Sequence, residues 1–361
     1  MSDHDARFLR LAISLGRRGL GQCWPNPAVG CVLVRDGRVV GRGRTRPGGR
    51  PHAETVALAQ AGTAARGATA YVSLEPCAHH GKTPPCAEAL IAAGVVRVVC
   101  PLEDPDPRVA GRGVAMLREA GIAVETGLLA AEAEDAQAGF LMRVREGRPW
   151  VTLKLASSFD GRIATASGHS QWITGPQARR WVHAARARHD AVLVGAGTAR
   201  ADDPMLTVRD MGVAHQPVRV VASRRLDLPL MSQLAQSAGD VPVWLCHGPD
   251  ADEALVTAWR GVGAELIECG LSGGQLSVAS VLSELGARGL TRVFCEGGSA
   301  LAASLLAEGL VDELVGMTAG FAIGAEGLPG IGALGLDRLE GGQRFRLEEG
   351  RALGTDGLHR W

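Results

Sequence analysis

The sequence predicts two domains, each combining helices with a β-sheet. The chain has 361 residues, too many for one ordinary hydrophobic core and enough for two. Strand-like and helix-like segments alternate in both halves, and the tripeptide Gly147-Arg148-Pro149 separates the two series. We therefore predict α/β domains at residues 1–146 and 150–361.

The first half begins with an amphipathic helix. Phe8, Leu11 and Leu15 recur at helical spacing between charged residues, a pattern unlike that of a signal peptide. Two β-rich runs then meet at Asp36-Gly37, which predicts a hairpin. The remaining segments alternate in the order HAETVALAQAG (helix), ATAYVSL (strand), CAEALIAAG (helix), VVRVVCPL (strand), GVAMLREAG (helix), IAVETGL (strand) and EAEDAQAGFLMRVREG (helix). This order predicts helices on both faces of one sheet.

The second half restarts with a strand, VTLKLASSFDG, and then alternates in the same way. The further predicted elements are a helix around PQARRWVHAARARH, the strands DAVLVGAGT, PVRVVAS, VPVWLCH and TRVFCEGG, and a helix over ALAASLLAEG. Alternation of strands with helices predicts a second, mostly parallel sheet.

Composition narrows the classes of function. Lys plus Arg and Asp plus Glu number 38 each, so no global field attracts nucleic acid or an anionic membrane. The sequence has no apolar run of about eighteen residues, so we expect no membrane span. The eight cysteines lack the dense spacing of a disulfide scaffold, and Cys31, Cys100 and Cys295 lie in apolar runs. These features predict reduced thiols and a cytoplasmic location.

Three side chains in the first half are candidate metal ligands. His52 follows a proline at a predicted helix start, Cys77 follows a strand, and Cys86 opens the next helix. Open α/β sheets place ligand sites beside the carboxyl ends of strands. One His and two Cys leave the fourth position of a catalytic zinc open, whereas a structural zinc usually takes four protein ligands. The sequence therefore predicts catalytic zinc, with a helix-capping His and ordinary core thiols as the alternatives.

Glu54 is the candidate proton carrier. It lies two residues after His52, too close to share a face inside a helix, but that restriction is relaxed at a helix start. Zinc lowers the pKa of water, hydroxide attacks an amidine-like carbon, and Glu54 carries the proton to the departing ammonia. The order H-x-E followed by P-C and a second Cys is that of zinc deaminases.

The loop between the two cysteines departs from the nucleobase-deaminase pattern. Cys86 comes nine residues after Cys77, where that pattern has three. The inserted AHHGKTPP is a candidate for an additional wall of the substrate pocket. His79 and His80 within it are rival metal ligands, although substrate contact or solvation suits their position better.

The second half has no G-x-G-x-x-G fingerprint, because Arg200 occupies the third glycine position after Gly195 and Gly197. Gly297 and Gly298 also stand at a strand end, before a helix that begins near residue 299. Backbone amides there are suited to a phosphate, and tight turns are the alternative.

The sequence closely resembles the bifunctional deaminase–reductase family of riboflavin biosynthesis. In the first half the strings that carry the resemblance are PNPAVG (25–30), PHAE (51–54), LEPCAHHGKTPPC (74–86) and EDPDPR (103–108). In the second half they are KLASSFDG (154–161), SQWIT (170–174), RARHD (186–190), VGAGT (194–198), ADDPMLTVR (201–209) and CEGG (295–298). The resemblance spans nearly the whole chain, in one order.

This resemblance implies two consecutive reactions. A cytidine-deaminase-like, three-layer α/β/α domain would remove an amine from a diamino-pyrimidinone that carries phosphoribosylamine. A dihydrofolate-reductase-like α/β domain would then reduce the ribosyl chain to ribityl with NADPH. Zinc ligation carries over to His52, Cys77 and Cys86, and proton transfer to Glu54.

The resemblance also assigns contacts for both ligands. Asn26 would contact the pyrimidine, although local sequence equally allows a turn-forming Asn between prolines. The residues implied to line NADPH are Ala156, Trp172, Thr198, Asp202, Gly298, Ser299, Ala300, Leu301, Ala302, Ala303 and Ser304. Those implied to face the phosphorylated substrate in the second domain are Ser170, Arg186, Leu206, Arg209 and Glu296, while Lys154 and Asp160 would shape the hydride-transfer site. Arg186 and Arg209 are suited to clamping phosphate, because a guanidinium presents a planar fork to its oxygens.

One position departs from the family. Many relatives carry a His after the second strand, whereas this chain has Thr45. The substrate contact attributed to that His therefore does not carry over.

Two other functions compete with this interpretation. One is a deaminase of nucleosides or nucleic-acid bases with an unrelated second domain, which the neutral charge and the long cysteine loop disfavour. The other is a binding protein stapled by zinc. The expected partner is the small phosphorylated pyrimidine, with no nucleic acid and no membrane, and the resemblance leaves a homo-oligomer through the reductase domain open.

Overall fold

The computed structural model describes residues 3–80 and 84–361. The chain divides into two compact units, residues 1–147 and 148–361. Each unit combines helices with its own main sheet, which confirms the predicted α/β fold class.

The first unit contains five helices and five strands within the described residues. In chain order they are α1 (Asp3–Arg17), β1 (Gly30–Arg35), β2 (Arg38–Arg44), α2 (Ala53–Ala61), β3 (Thr69–Val72), α3 (Cys86–Ala92), β4 (Arg97–Cys100), α4 (Arg112–Glu119), β5 (Ala123–Thr126) and α5 (Ala130–Glu146). Short 3-10 turns lie at Pro47–Gly49 and Gly62–Ala65. The predicted hairpin is confirmed: Asp36 and Gly37 join β1 to β2, both with positive φ, of 51° and 74°.

The first sheet runs in the order β2-β1-β3-β4-β5, with β1 antiparallel to β2 and β3 and the last three strands parallel. Successive residues of β1 face different cores. Cys31 and Leu33 pack with α2 and α3, whereas Val32 and Val34 pack with α1 and α5. The sheet therefore lies between two helical layers.

Two glycines of β2 fix the position of α2. A Cβ atom at Gly43 would lie 2.2 Å from the carbonyl oxygen of Ala53, and one at Gly41 would lie 2.3 Å from that of Ala57. Only glycine allows the helix to approach the strand this closely. The start of α2, where His52 and Glu54 lie, is thereby held against the sheet.

The second unit begins at β6 (Trp150–Ser158) and continues with β7 (Arg162–Ala164), α6 (Pro176–Arg186), β8 (Ala191–Gly195), α7 (Ala196–Asp202), β9 (Val218–Ala222), α8 (Gln233–Gln236), β10 (Val243–His247), α9 (Glu253–Gly261) and β11 (Glu265–Glu268). It ends with β12 (Leu271–Ser272), β13 (Gln275–Leu276), α10 (Val278–Ala287), β14 (Arg292–Cys295), α11 (Ser299–Ala307), β15 (Glu313–Ala319), β16 (Leu328–Pro329), a 3-10 turn at Leu339–Gly341, β17 (Glu349–Leu353) and β18 (Asp356–Arg360).

The second main sheet has nine strands in the order β11-β10-β9-β8-β14-β6-β15-β18-β17. The strands from β11 to β15 are parallel, and β18 and β17 add an antiparallel edge. The prediction of a mostly parallel sheet is confirmed, but β15 and the β17–β18 hairpin were not predicted. In the described part of the chain, no helix combines the length and apolar character needed to cross a bilayer.

Candidate metal centre and reductase site

The first candidate site lies at the start of α2. His52 is the N-cap residue, with extended backbone (φ −69°, ψ 162°), and the helix begins at the next residue. Glu54 lies in the first turn and is buried. Because His52 itself is not helical, the restriction that keeps two residues at this spacing on different faces of a helix does not apply to His52 and Glu54, as the sequence predicted.

Cys77 and Cys86 reach the same point from β3 and α3. Cys77 lies in the loop after β3, and Cys86 is the first residue of α3. The backbone N–H of Cys86 donates to Cys77 Sγ at 3.3 Å, and the N–H of Ala87 donates to the carbonyl oxygen of Cys77 at 3.2 Å. The amino end of α3 thus holds the Cys77 side chain, and such helix ends favour thiolate.

The three candidate ligands converge. One ligand atom from each of His52, Cys77 and Cys86 lies within 4.8 Å of the others. His52 Nδ1 lies 3.3 Å from Cys86 Sγ and 3.6 Å from Cys77 Sγ. Tetrahedral zinc with usual bond lengths places a nitrogen and a sulfur ligand about 3.6 Å apart, so the donor set and its spacing fit zinc.

Burial and mutual contact shift the pKa values of this cluster. The Cys86 thiol and His52 hydrogen-bond to Cys77 and lower the pKa of its thiol to about 4, while that of Cys86 is raised, chiefly by the same hydrogen bond. The hydrogen bond to Cys77 also raises the pKa of His52. Burial raises the pKa of Glu54 to about 7. Glu54 also contacts the Cys86 side chain, which places its carboxyl group beside the cluster.

Glu75 is buried two residues before the candidate ligand Cys77, and the sequence did not predict a role for it. Its side chain is 4% exposed and accepts hydrogen bonds from the backbone N–H groups of Asp104 (3.0 Å), Gly111 (3.0 Å) and Val114 (3.1 Å). It therefore joins the strand end that carries Cys77 to the start of α4. Its position two residues before a ligand in LEPC was the available signal, but its partners lie 29 to 39 residues away.

Asn26 lies beside the metal cluster. Its Nδ2 donates to the carbonyl oxygen of Gly49 at 2.9 Å and lies 3.4 Å from His52 Nε2, on the side of the ring away from the sulfurs. Gly49 has a φ of 81°, and a Cβ there would lie 2.7 Å from Asn26 Nδ2. The side-chain amide therefore lies against the ring of a candidate metal ligand, and its contact with a substrate stays a prediction.

The structure describes only part of the loop between the cysteines. Residues 81–83 lie outside the described residues, so the expected additional pocket wall is not described in full. His80 is exposed and lies 3.5 Å from Glu88. His79 Nδ1 is buried without a hydrogen-bond partner among the described residues. Neither His belongs to the converging ligand group.

The second candidate site lies at the carboxyl ends of β8, β14 and β6, which are adjacent in the sheet. The N–H of Gly195 donates to the carbonyl oxygen of Gly297 at 3.2 Å, and a Cβ at Gly298 would lie 2.9 Å from Thr198 Oγ1. Gly297 and Gly298 both have a φ of 85°, and α11 begins at the next residue, as predicted. The first amides of α11 have no partner within the helix and are suited to a phosphate of a dinucleotide.

Arg186 and Glu296 form a bidentate ion pair at this edge. Arg186 Nε lies 2.5 Å from Glu296 Oε1, and Nη2 lies 3.0 Å from Oε2. Arg186 Nη1 also donates to the carbonyl oxygen of Thr207 at 2.8 Å. The Arg186 charge lowers the pKa of Glu296 against the opposing effect of burial.

Further predicted residues surround this pair. Burial lowers the pKa of Lys154, whose charge interacts with Glu296 and Asp202, and the Ser170 side chain hydrogen-bonds Asp202. The N–H of Arg209 donates to His183 Nδ1 at 3.2 Å, and burial followed by the charges of Arg186 and Arg209 lowers the pKa of His183. Basic groups therefore gather where a phosphorylated substrate was predicted.

Other residues predicted to contact the cofactor or the substrate lie on several elements of the second unit and differ in exposure. Trp172 is 66% exposed, stacks against the Arg179 guanidinium at 4.6 Å and lines a cavity of about 470 Å³ with residues such as Phe321 and Asp356. The side chains of Leu206 and Ala302 are buried, so contact with a ligand would have to come from the backbone. The other predicted positions lie on nearby elements: Ala156 on β6, Asp160 after it, and Ser299, Ala300, Leu301, Ala303 and Ser304 on α11.

Comparison with known proteins identifies the family. The sequence is 42% identical to the riboflavin biosynthesis protein RibD of Escherichia coli K12, over 98% of this chain and 97% of that one. The chain belongs to the RibD family. RibD of Aquifex aeolicus is 38% identical, over 98% of this chain and 96% of the relative. Residues 149–358 match the RibD C-terminal domain, and residues 2–102 match the cytidine and deoxycytidylate deaminase zinc-binding region.

Solved structures of the RibD family agree in fold. RibD of Acinetobacter baumannii superposes with a TM-score of 0.88 at 40% identity, covering 99% of this chain and 98% of that chain. A Thermotoga maritima protein described as a diaminohydroxyphosphoribosylaminopyrimidine deaminase/5-amino-6-(5-phosphoribosylamino)uracil reductase superposes with a TM-score of 0.86 at 35% identity, with the same coverage. The present RibD-family chain is a bifunctional deaminase–reductase of riboflavin biosynthesis.

Proposed function

We propose that the chain deaminates a diamino-pyrimidinone bearing phosphoribosylamine and then reduces its ribosyl chain to ribityl with NADPH. The observation that carries the proposal is the convergence of His52, Cys77 and Cys86, with their ligand atoms within 4.8 Å, beside buried Glu54. The Thermotoga relative, whose description names both activities, supports the choice of substrate.

We assign deamination to residues 1–146. His52, Cys77 and Cys86 would hold zinc, which when bound supplies the Lewis-acid chemistry that activates water near neutral pH. A carboxylate oxygen of Glu54 takes a proton from the attacking water and delivers it to the amine that leaves as ammonia. Asn26 holds the pyrimidine edge through its side-chain amide, which offers both a donor and an acceptor.

We assign reduction to residues 150–361. NADPH, when bound, supplies the hydride. Gly298 and the first turn of α11 hold a cofactor phosphate through backbone N–H groups, and Thr198 lies directly beside Gly298. Arg209 binds the substrate phosphate, while Arg186 and Glu296 act as a unit because they are already paired. The chain's own contribution is orientation of the two reactants.

The proposal places this enzyme in the cytoplasm with a small-molecule partner. All eight cysteines are free, although the sulfur atoms of Cys77 and Cys86 lie within 4.8 Å of each other, which suits a reducing compartment. The equal numbers of basic and acidic residues give no support to a nucleic-acid substrate. Oligomerisation through the reductase domain stays a prediction.

The decisive experiment couples the two reactions. Purified full-length protein containing zinc receives the phosphorylated diamino-pyrimidinone and NADPH, and ammonia release and NADPH oxidation are followed together. We expect one NADPH oxidised per ammonia released, and no ammonia from cytidine. Ammonia release from cytidine without NADPH oxidation would instead establish the nucleoside deaminase.

A further inference from the structure

The turn that carries Asn26 is held by its own carbonyl oxygens. Arg143 Nη2 donates to the carbonyl of Pro25 at 3.0 Å, Thr45 Oγ1 to that of Pro27 at 3.1 Å, and Gln137 Nε2 to that of Ala28 at 3.0 Å. Two of these donors come from α5 and one from the residue after β2. Three side chains therefore clamp a short segment that has no regular secondary structure.

Thr45 makes the densest set of these contacts. It is 2% exposed, and its hydroxyl oxygen also accepts from the backbone N–H of Val29 at 3.0 Å. Its own N–H donates to the carbonyl oxygen of Val29 at 2.9 Å. The N–H of Val29 also donates to the carbonyl oxygen of Pro27 at 3.1 Å, so loss of the hydroxyl would leave these two groups bonded only to each other. The two hydrogen bonds by which the Thr45 hydroxyl holds the turn would be lost.

The clamped turn carries Asn26, whose side chain lies beside the candidate metal ligand His52. Asn26 follows Pro25 and precedes Pro27, so two of the three clamped carbonyls flank it. Its Nδ2 bonds Gly49 at 2.9 Å and lies 3.4 Å from His52 Nε2. A displacement of the turn therefore moves the amide relative to both the ring and any pyrimidine that the amide holds.

We propose that Thr45 is a positioning residue for deamination, which fixes the turn at 25–28 so that Asn26 meets the pyrimidine edge. This inference rests on the substrate contact proposed for Asn26. It gives a role to the position where this chain lacks the His of many relatives: Thr45 acts through the turn and does not touch substrate. Gln137, which donates to the carbonyl oxygen of Ala28, shares the role.

The test uses the full-length enzyme with two substitutions at one position. Thr45→Val keeps the shape and removes the hydroxyl, whereas Thr45→Ser keeps the hydroxyl. We expect Thr45→Val to raise the KM for deamination about tenfold, with a smaller change in kcat, and Thr45→Ser to restore most of the loss. Zinc content and reduction of pre-deaminated substrate in the same chain should stay unchanged, and Thr63→Val, at an exposed position of the same unit, is the matched control.

A double-mutant cycle tests whether Thr45 affects deamination through Asn26. If Thr45 acts through Asn26, Thr45→Val adds little to the loss already caused by Asn26→Ala, and Gln137→Met behaves in the same way. If Asn26→Ala leaves deamination unchanged, the substrate contact proposed for Asn26 fails, and this inference fails with it. Three results would overturn only the role of Thr45, provided that Asn26→Ala impairs deamination. One is the absence of any effect of Thr45→Val on deamination, and another is the failure of Thr45→Ser to restore it. The third such result is a double variant whose loss of activity equals the product of the losses in the two single variants.

Discussion

Arg186 and Glu296 face each other through two hydrogen bonds, of 2.5 and 3.0 Å, and the side chain of each is only 11% exposed. Arg186 ends α6 and Glu296 directly follows β14, so the pair joins two elements at the carboxyl edge of the second sheet. Because Glu296 occupies one edge of the guanidinium, Arg186 is fixed in orientation before a ligand arrives.

We predict that Glu296→Gln lowers kcat/KM for reduction by about tenfold or more, because the buried guanidinium loses its charged partner and its fixed orientation. Deamination should be unchanged, which the coupled assay of ammonia and NADPH measures directly.

The matched control is Asp312→Asn. Asp312 forms an equally buried pair with Arg148 at 2.7 Å, at the opposite end of the parallel strands, so its loss should lower thermal stability without impairing reduction. Equal loss of reduction in both variants would contradict a specific role for Glu296.

Local sequence predicted where the candidate metal ligands lie in the fold, but it did not predict how the residues of the second candidate site pair with one another. His52, Glu54 and Cys86 lie at helix starts, and Cys77 follows a strand. Prolines and the spacing of apolar residues mark such element boundaries in the sequence, so the positions of these four residues could be predicted. The pairing of Arg186 with Glu296 spans 110 residues, and no local pattern could indicate that two predicted substrate contacts bind each other. Sequence predicts which residues lie at strand ends, but not which of them are partners.

One of the missed strands, β17, has a physical explanation. Residues 349–353 of β17 are largely exposed and include glycine and charged residues, so they show no alternation of apolar and polar side chains. This strand forms because β18 pairs with it, a tertiary contact that the strand's own residues do not encode.

We predict that Cys77→Ser and Cys86→Ser each lower the zinc content of the purified chain and abolish deamination, because a hydroxyl is a much poorer zinc ligand than a thiolate. Reduction of pre-deaminated substrate should persist. Cys100→Ala, at a fully buried thiol of the same unit, is the control and should keep full zinc. Metal analysis per chain is the measurement. Full zinc in both serine variants would exclude these cysteines as ligands.

Glu54→Gln separates metal binding from proton transfer. The amide keeps the shape of the buried side chain but cannot carry the proton, so deamination should fall by about 10²- to 10⁴-fold. Zinc content should equal that of the unsubstituted chain, because Glu54 is not a member of the converging ligand group. Glu119→Gln, an exposed residue of α4, controls for the substitution itself. Loss of zinc together with activity would show that Glu54 holds the metal.

Glu75 should influence the metal without touching it. Glu75→Gln replaces one acceptor oxygen with an N–H donor facing three backbone N–H groups, so the joint between the Cys77 loop and α4 should loosen. We predict a loss of zinc affinity of about tenfold, measured by competition with a chromophoric chelator. Unchanged zinc affinity in a chain with lowered thermal stability would show that Glu75 serves the fold alone.

The ionisation of Tyr71 tests the hydrophobic core that lies between α1 and the sheet of the first unit. It is the single tyrosine of the chain, and its hydroxyl donates to Asp5 Oδ1 at 2.7 Å. Burial, followed by this hydrogen bond, raises the pKa of the phenol from 10.0 to about 12. The folded state therefore favours the neutral phenol, so this contribution to stability is present below about pH 10 and is lost as the pH rises towards 12.

The tyrosinate absorbance band measures this shift without interference from another tyrosine. We predict that the folded chain titrates near pH 12, and that the urea-unfolded chain titrates near pH 10. Asp5→Asn should lower the folded value, because the carboxylate that accepts the phenolic proton is gone, and Tyr71→Phe should remove the signal. A folded chain whose phenol ionises at the unfolded value would mean that water reaches Tyr71. The hydrophobic core that Tyr71 of β3 shares with Phe8 and Leu9 of α1 would then be wrong.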